Sequence, residues 1–403
     1  MIELQKACDL VFENTPVLGT QGRLIEESVG YVLAEDVISS INVAPFRNSA
    51  MDGFAVRSEW LAGCSDSNPC ILPIGQTIFA GDAGQESVSG GRAVKVMTGA
   101  PVPDEFDAVV PFEHTEYNQT EVRFFGSIAS GANVRPPGED IAAGQKLYEK
   151  GTTLGRLDTG ILATIGLRSV TTFRRPSLLV LGTGDEIISP GERLAVGKIY
   201  DANTFTLQAL LTPLSASLHR VPAVQDRREE LEKTLRSPHD VVVTSGGVSA
   251  GERDLVVKMA ESAGWKTVFH KARIKPGKPI YFATKGKQLL FGLPGNPLST
   301  AVTCSVFVIP ALKKMTGRTD YHLQPQPAVL APGGVRKSGR TLIWPGFIRE
   351  EDGRTVVEFS PKKSSAAMTA VLNSDGLIVQ SPTDGGAGDV TVQAIRWRDI
   401  LDA

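Results

Sequence analysis

The residues best suited to chemistry lie between Asp240 and Asp254, in DVVVTSGGVSAGERD. Gly246 and Gly247 let backbone N–H groups reach a ligand with no side chain in the way. Thr244, Ser245 and Ser249 add hydroxyls beside them. A helix pattern follows, with Leu255, Val256, Met259 and Ala260 on one face. The start of a helix attracts anions, because its first N–H groups lack partners and the dipole is positive there. Glu252 and Asp254, however, put carboxylates where a phosphate would sit. An anion site that carries its own acids points to a metal ion between the two. A tight turn leading into a charged first helical turn would read the same way.

Similar residues recur along the chain. GTGDEI, Gly182 to Ile187, is a second turn with paired acids, Asp185 and Glu186. It lacks the third glycine of a dinucleotide fingerprint. KPGKP brings Lys275 and Lys278, and GLPGNP brings Pro294 and Pro297. Asp52 precedes Gly53 in APFRNSAMDGFAVR, where it would by default bind local backbone N–H groups in a turn. Thr98 lies in MTGAPVP. Arg135, Glu139 and Asp140 gather in a Pro/Gly-rich crossing whose composition reads as a solvated linker. Asp201, Asn203 and Asp226 each stand where a helix N-cap is expected.

The elements that must position these residues are legible. Leu178–Leu181 and Val241–Val243 are short apolar runs of the kind buried in a parallel sheet. Strands alternate with helical stretches from Pro176 to about Met315, which predicts an α/β fold with a doubly wound, mostly parallel sheet. Ligands of such sheets sit outside the carboxyl ends of the strands. GTGDE, TSGGVSAGERD and GLPGNP all follow strands, so the three loops are expected to face one crevice. Ile71–Ile74, Ala93–Met97, Ala108–Phe112 and Glu121–Phe125 read as an inserted β domain. Thr341–Trp344, Thr355–Phe359, Gly376–Gln380 and Val390–Ile395 read as a terminal β barrel or sandwich. The N-terminal segment is helical from Leu4 to Asn14.

Composition narrows the function classes. A formal net charge of −2 over 403 residues does not point to a nucleic-acid or membrane-surface binder. No apolar run reads as a membrane span, and the N-terminus has no signal-type core, so a cytoplasmic protein is expected. Cys8, Cys64, Cys70 and Cys304 form no zinc-type spacing and no disulfide framework. The five histidines are scattered without metal-site spacing.

FRNSAMDGFAVR, MTGAPVP, the Arg135–Asp140 crossing, GTGDE, TSGGVSAGERD, IKPGKP and GLPGNP occur in that order. Together they closely resemble the molybdopterin molybdenumtransferase (MoeA) family, which also includes the C-terminal part of gephyrin. The resemblance spans roughly Glu3 to Ala403. It implies a homodimer with a discontinuous linker domain at 1–40 and 135–173 and an inserted β domain at 41–134. It further implies a molybdopterin-binding α/β domain at 174–322 and a β domain at 323–403. The implied reaction inserts molybdenum from molybdate into adenylylated molybdopterin and releases AMP, with Mg²⁺ as the ion. An adenylyltransferase would supply the substrate.

Asp52, Asp140, Glu186, Asp226 and Asp254 match the family's catalytic positions, with Glu186 and Asp254 as the metal ligands. Thr98, Arg135, Lys271, Lys275, Pro294 and Pro297 match its substrate positions. Lys278 and the turn from Thr244 to Ser249 would join them, and Ser365 is a further candidate for the oxyanion. Asp52 and Asp140 lie outside the α/β domain and could reach a shared site only across a domain or dimer boundary. In the C-terminal stretch, Ala370 and Asp375 stand where the family has a hydroxyl and an amide; if those groups help to hold the oxyanion, the resemblance implies molybdate binding that is weaker or differently arranged here. Two other readings share the motifs: a non-catalytic pterin-binding scaffold, and a molybdopterin adenylyltransferase using ATP.

Overall fold

The computed structural model describes residues 1–83, 90–224, 228–248, 255–383 and 390–402. At its centre, Val241–Ser245 is buried along its whole length. β-branched residues that are apolar on both faces suit the middle of a covered parallel sheet. That strand pairs in parallel with Ser177–Thr183 and Gln288–Leu293, and Ser217–Val224 extends the sheet beyond the first of these. Tyr281–Lys285 and Lys266–His270 add two antiparallel strands at the other edge.

Alternate residues feed two cores. Val180, Val241, Val243 and Phe291 face one, while Leu181, Val242 and Leu290 face the other with Val256, Ala260 and Trp265. The chain from Pro297 to Met315 runs as a helix, one π turn at Cys304–Val308, and a second helix. This run of 19 residues is long and apolar enough to cross a membrane, contrary to the reading of the sequence, but it is almost wholly buried in the first core. Its hydrophobicity is that of a core helix in a large α/β domain.

The helix Leu4–Asn14 was expected with the linker segments. It instead buries Ala7, Val11 and Phe12 in the core of the α/β sheet. Ile2 and Arg273 are joined backbone to backbone, and Lys314 donates to the Phe12 carbonyl. The linker is built from Thr20–Leu24 paired with Ser169–Phe173 and from Val37–Ile38 paired with Lys146–Tyr148. It has a separate small core of Leu33, Leu154, Leu162 and Val170.

The inserted domain is a six-stranded sheet in the order Ala108–Pro111, Gly53–Val56, Ala93–Val96, Cys70–Ile78, Glu121–Phe124, Thr115–Tyr117. Cys64 and Cys70 form a disulfide there, which cysteine spacing had not indicated. A turn between Ser65 and Asn68 doubles the chain back and brings the two Cα atoms to 5.5 Å.

The C-terminal unit is a closed five-stranded barrel. Thr341–Glu351 pairs with both Arg354–Phe359 and Gly376–Gln380, and Gln326–Leu330 and Val390–Arg396 complete the ring. Ile274–Lys275 leaves the α/β domain and pairs in parallel with Thr341–Leu342. The barrel and the α/β domain also share one continuous core. That joint fixes how the barrel meets the strand ends.

Candidate active site

The three glycine-rich loops do face one crevice. Gly182–Ile187, Ser245–Val248 and Pro294–Pro297 line a cavity of about 900 Å³ outside the carboxyl ends of the parallel strands. Gly246 and Gly247 shape its floor, with φ of +96° and +66°. A Cβ on Gly246 would stand 2.5 Å from the Thr183 carbonyl oxygen, and one on Gly247 would stand 2.8 Å from Val256. The backbone can come this close only because both positions lack a side chain.

The walls carry opposite charges. Asp185 and Glu186 line the sheet side. Lys275, Lys278, Arg340 and Lys363 line the side built from the KPGKP loop and the barrel. Arg340 donates to the Ile274 carbonyl at 3.0 Å, which orients it at the joint. Asn296 Nδ2 donates to Ser365 Oγ at 2.8 Å, tying GLPGNP to the barrel loop. Asp201 also lines the cavity but is buried, and it is committed to Thr204, whose N–H and hydroxyl it accepts. Asp201 is therefore the cap residue, and Asn203 is not.

Of the residues singled out in the sequence, Glu186, Ser245, Gly246, Gly247, Lys275, Lys278, Pro294, Pro297 and Ser365 line the cavity. Thr244 is fully buried inside its strand and does not line it. Lys271 is also outside, where its N–H donates to Ile280 and its carbonyl accepts from Ile2. Asp226, Ser249 and Asp254 lie outside the described residues. Ala370 is buried, and Asp375 accepts the Ile348 N–H at 2.9 Å within the barrel. Neither lines the cavity, so these two departures from the family pattern leave its walls unchanged.

Asp52, Thr98, Arg135 and Asp140 gather elsewhere. Asn48–Ser49 pairs with Val134–Arg135, and Ser49 exchanges backbone bonds with Gly99 and Ala100. Thr98 donates both its N–H, at 2.7 Å, and its hydroxyl, at 2.8 Å, to Asp52 Oδ1. The Thr98 N–H, and then its hydroxyl, hold the Asp52 carboxyl below the usual range. Arg135 Nε lies 3.5 Å from Glu139, and Asp140 is exposed next to Ile141, which pairs with Val43. Three motifs thus form a second, solvent-exposed locus, and none of the four residues lines the cavity.

Reading the sequence missed Arg340, Trp344 and Lys363, which come from the barrel and carry no local motif. Asn203 and Asn296 were visible but not marked as site residues. The asparagine within GLPGNP was the available signal for Asn296.

Two family models match the chain: MoeA N-terminal region (domain I and II) over residues 2–166, and Probable molybdopterin binding domain over 180–314. A molybdopterin molybdenumtransferase of Haemophilus influenzae is 34% identical, over 98% of this chain and 98% of the relative. This chain belongs to the molybdopterin molybdenumtransferase family. A Staphylococcus epidermidis family member is 31% identical, over 88% of this chain and 85% of its own length. The crystal structure of a molybdopterin biosynthesis MoeA protein from Pyrococcus horikoshii superposes with a TM-score of 0.84 at 30% identity, covering 98% of this chain and 99% of that one. The family's second model falls on the segment that builds the sheet side of the cavity.

Proposed function

We propose that the cavity binds adenylylated molybdopterin across its diphosphate, and that the enzyme transfers molybdenum from molybdate to the pterin dithiolene with release of AMP. Membership of the family makes the chain a transferase of molybdenum cofactor biosynthesis. The observation that carries the finer reading is the cavity's mixed charge, with paired acids, a glycine turn and four cations in one lining. The Gly246–Gly247 turn offers backbone N–H groups to phosphate oxygens. Lys275 and Lys278 offer charge-assisted bonds to the same group. Arg340, Lys363 and Ser365 on the barrel side suit the tetrahedral oxyanion, molybdate, beside it.

Mg²⁺ fits this donor set. It binds through one or two carboxylates plus substrate phosphates and keeps several waters, so it needs no closed protein cage. Glu186 and Asp185 would hold the ion, and Asp254 is the further ligand that the family resemblance implies. Bound there, the ion would offset charge that develops on the diphosphate.

Asp52, Thr98, Arg135 and Asp140 form an ordered polar locus that faces solvent in one chain. A homodimer that sets this locus of one protomer over the cavity of the other would bring all the implied residues to one site. An isologous pair would make two such sites.

The test is incubation with adenylylated molybdopterin, molybdate and Mg²⁺, with AMP as the readout. AMP release that needs both molybdate and Mg²⁺ is expected. Pyrophosphate and adenylylated molybdopterin formed from ATP and free molybdopterin, with no AMP released from the adduct, would favour adenylylation instead.

A further inference from the structure

His270 takes no part in the function proposed above and is not among the residues that line the cavity. It ends the strand Lys266–His270, one of the two antiparallel strands at the sheet's edge. Its ring meets Tyr281 edge-on, with centroids 5.9 Å apart and planes at 88°. Tyr281 is fully buried and its hydroxyl is bonded to Thr267 across 2.9 Å, so the imidazole rests on a fixed surface. From there Nε2 lies 2.9 Å from the Val248 carbonyl oxygen. A backbone carbonyl only accepts, so Nε2 carries the hydrogen and donates it.

Val248 follows the two glycines and lines the cavity with them. Three bonds hold this turn. The Gly246 N–H donates to the Leu293 carbonyl at 3.0 Å, the Gly247 carbonyl accepts from the Val256 N–H at 3.3 Å, and the Val248 carbonyl accepts from His270. Of the three, only the His270 bond is made by a side chain. In a trans peptide the N–H points opposite to the C=O, so anchoring the turn's carbonyls sets where its N–H groups aim.

His270 is also the root of the lysine loop. Lys271 comes next, and its N–H donates to the Ile280 carbonyl at 2.8 Å, while the Ala272 N–H donates to the Lys278 carbonyl at 3.1 Å. These bonds close the base of the loop that brings Lys275 and Lys278 to the cavity. The imidazole is therefore a strut between the two elements suited to phosphate oxygens, one by backbone N–H groups and the other by charge.

We propose that His270 is a positioning residue, which fixes the spacing of the glycine turn and the lysine loop across the substrate's diphosphate. This role rests on the cavity being the adenylylated molybdopterin site. The groups suited to molybdate, Arg340, Lys363 and Ser365, come from the barrel instead. Loss of the strut should thus weaken the adduct and spare molybdate.

The test reads AMP release at varied adenylylated molybdopterin and at varied molybdate, in wild type and two variants. His270→Phe keeps a ring against Tyr281 and removes the donor. His270→Gln removes the ring and keeps an N–H donor at the reach of Nε2. His270→Phe is expected to raise KM for the adduct about tenfold, the factor of one charge-assisted bond to phosphate, with the half-saturating molybdate concentration within about twofold of wild type. His270→Gln is expected to bring KM for the adduct back to within about threefold of wild type. A role in packing alone predicts the reverse order, with His270→Phe the milder change.

Active wild type with His270→Phe at the same KM overturns this role alone. So does His270→Gln impaired as much as His270→Phe, or a loss shared equally by the adduct and molybdate. Wild type that releases no AMP from the adduct overturns the function proposed for the cavity, and this role with it. If His270→Phe does not fold, His270→Asn takes its place, since its amide stops one bond short of the Val248 carbonyl. Equal KM for the adduct in His270→Asn and His270→Gln then overturns the proposal.

Discussion

Asn296 donates its side-chain N–H to the hydroxyl of Ser365 across 2.8 Å, and so joins a loop of the α/β domain to a loop of the barrel. Ser365 thereby stands beside Lys363 and Arg340 at the cavity wall. Asn296 is exposed and Ser365 only half-buried, so the bond adds little stability. Its effect should be on where the oxyanion sits. Ser365→Ala is expected to raise the molybdate concentration needed for half-maximal AMP release by about tenfold, since a charge-assisted bond is worth about 1.5–3 kcal/mol. Tm should move by no more than a few degrees. An unchanged molybdate dependence would remove Ser365 from the site.

Gly246 is expected to tolerate no side chain. Its φ of +96° and the Thr183 carbonyl 2.5 Å from a would-be Cβ both oppose one. Gly246→Ala should cost about 1–3 kcal/mol of stability from backbone strain alone. It should also push the turn's N–H groups off the phosphate and reduce AMP release well beyond the loss of folded protein. Urea unfolding and initial rates, measured on the same preparation, check both.

Asp240 gives a pH dependence of stability. Burial pushes its carboxyl up, but the Arg174 guanidinium at 2.8 and 2.9 Å and the Ser177 N–H and hydroxyl outweigh that and hold it down at about 2. The folded value is below the unfolded one, so this stabilisation is fully present above pH ~4 and is lost as pH falls toward about 2. It amounts to about 2 kcal/mol. The unfolding free energy of Asp240→Asn should be lower than wild type at pH 6 and should converge with it near pH 2. Parallel curves over that range would count against the pair.

The shared-site proposal predicts complementation. Asp52→Asn and Lys275→Ala should each be inactive as homodimers. Mixed and allowed to exchange subunits, they should regain about a quarter of wild-type activity, because half the dimers are mixed and each mixed dimer has one intact site. A mixture as inactive as its parts would place both residues in one protomer's site, or put Asp52 outside it.

Much of this architecture is written in short runs of sequence. Val241–Val243, Gly246 and Gly247 announce a buried strand and a ligand-approaching turn, because burial on both faces and left-handed backbone are local demands on residue type. The order of seven motifs likewise fixed the family and, with strand–helix alternation, the parallel sheet. That three loops share one crevice followed from their place after parallel strands.

What packing alone decided involves residues far apart in the chain. Arg340 and Lys363 belong to the cavity because Ile274–Lys275 pairs with Thr341–Leu342 and turns the barrel toward the strand ends. Nothing in their neighbours signals it. Thr244 and Ser245 are adjacent, yet one is sealed in the sheet while the other lines the cavity, since side chains alternate along a strand. Asn203 looked like a helix cap in sequence, but Asp201 caps that turn and Asn203 reaches Ser245 and Gly295. Asp52 and Arg135 were drawn together with Thr98 away from the cavity, because the inserted sheet folds on its own core. Local sequence specifies strands, turns and caps. Which distant side chains share a wall is set by how separately folded units dock, and that depends on surfaces no single stretch contains.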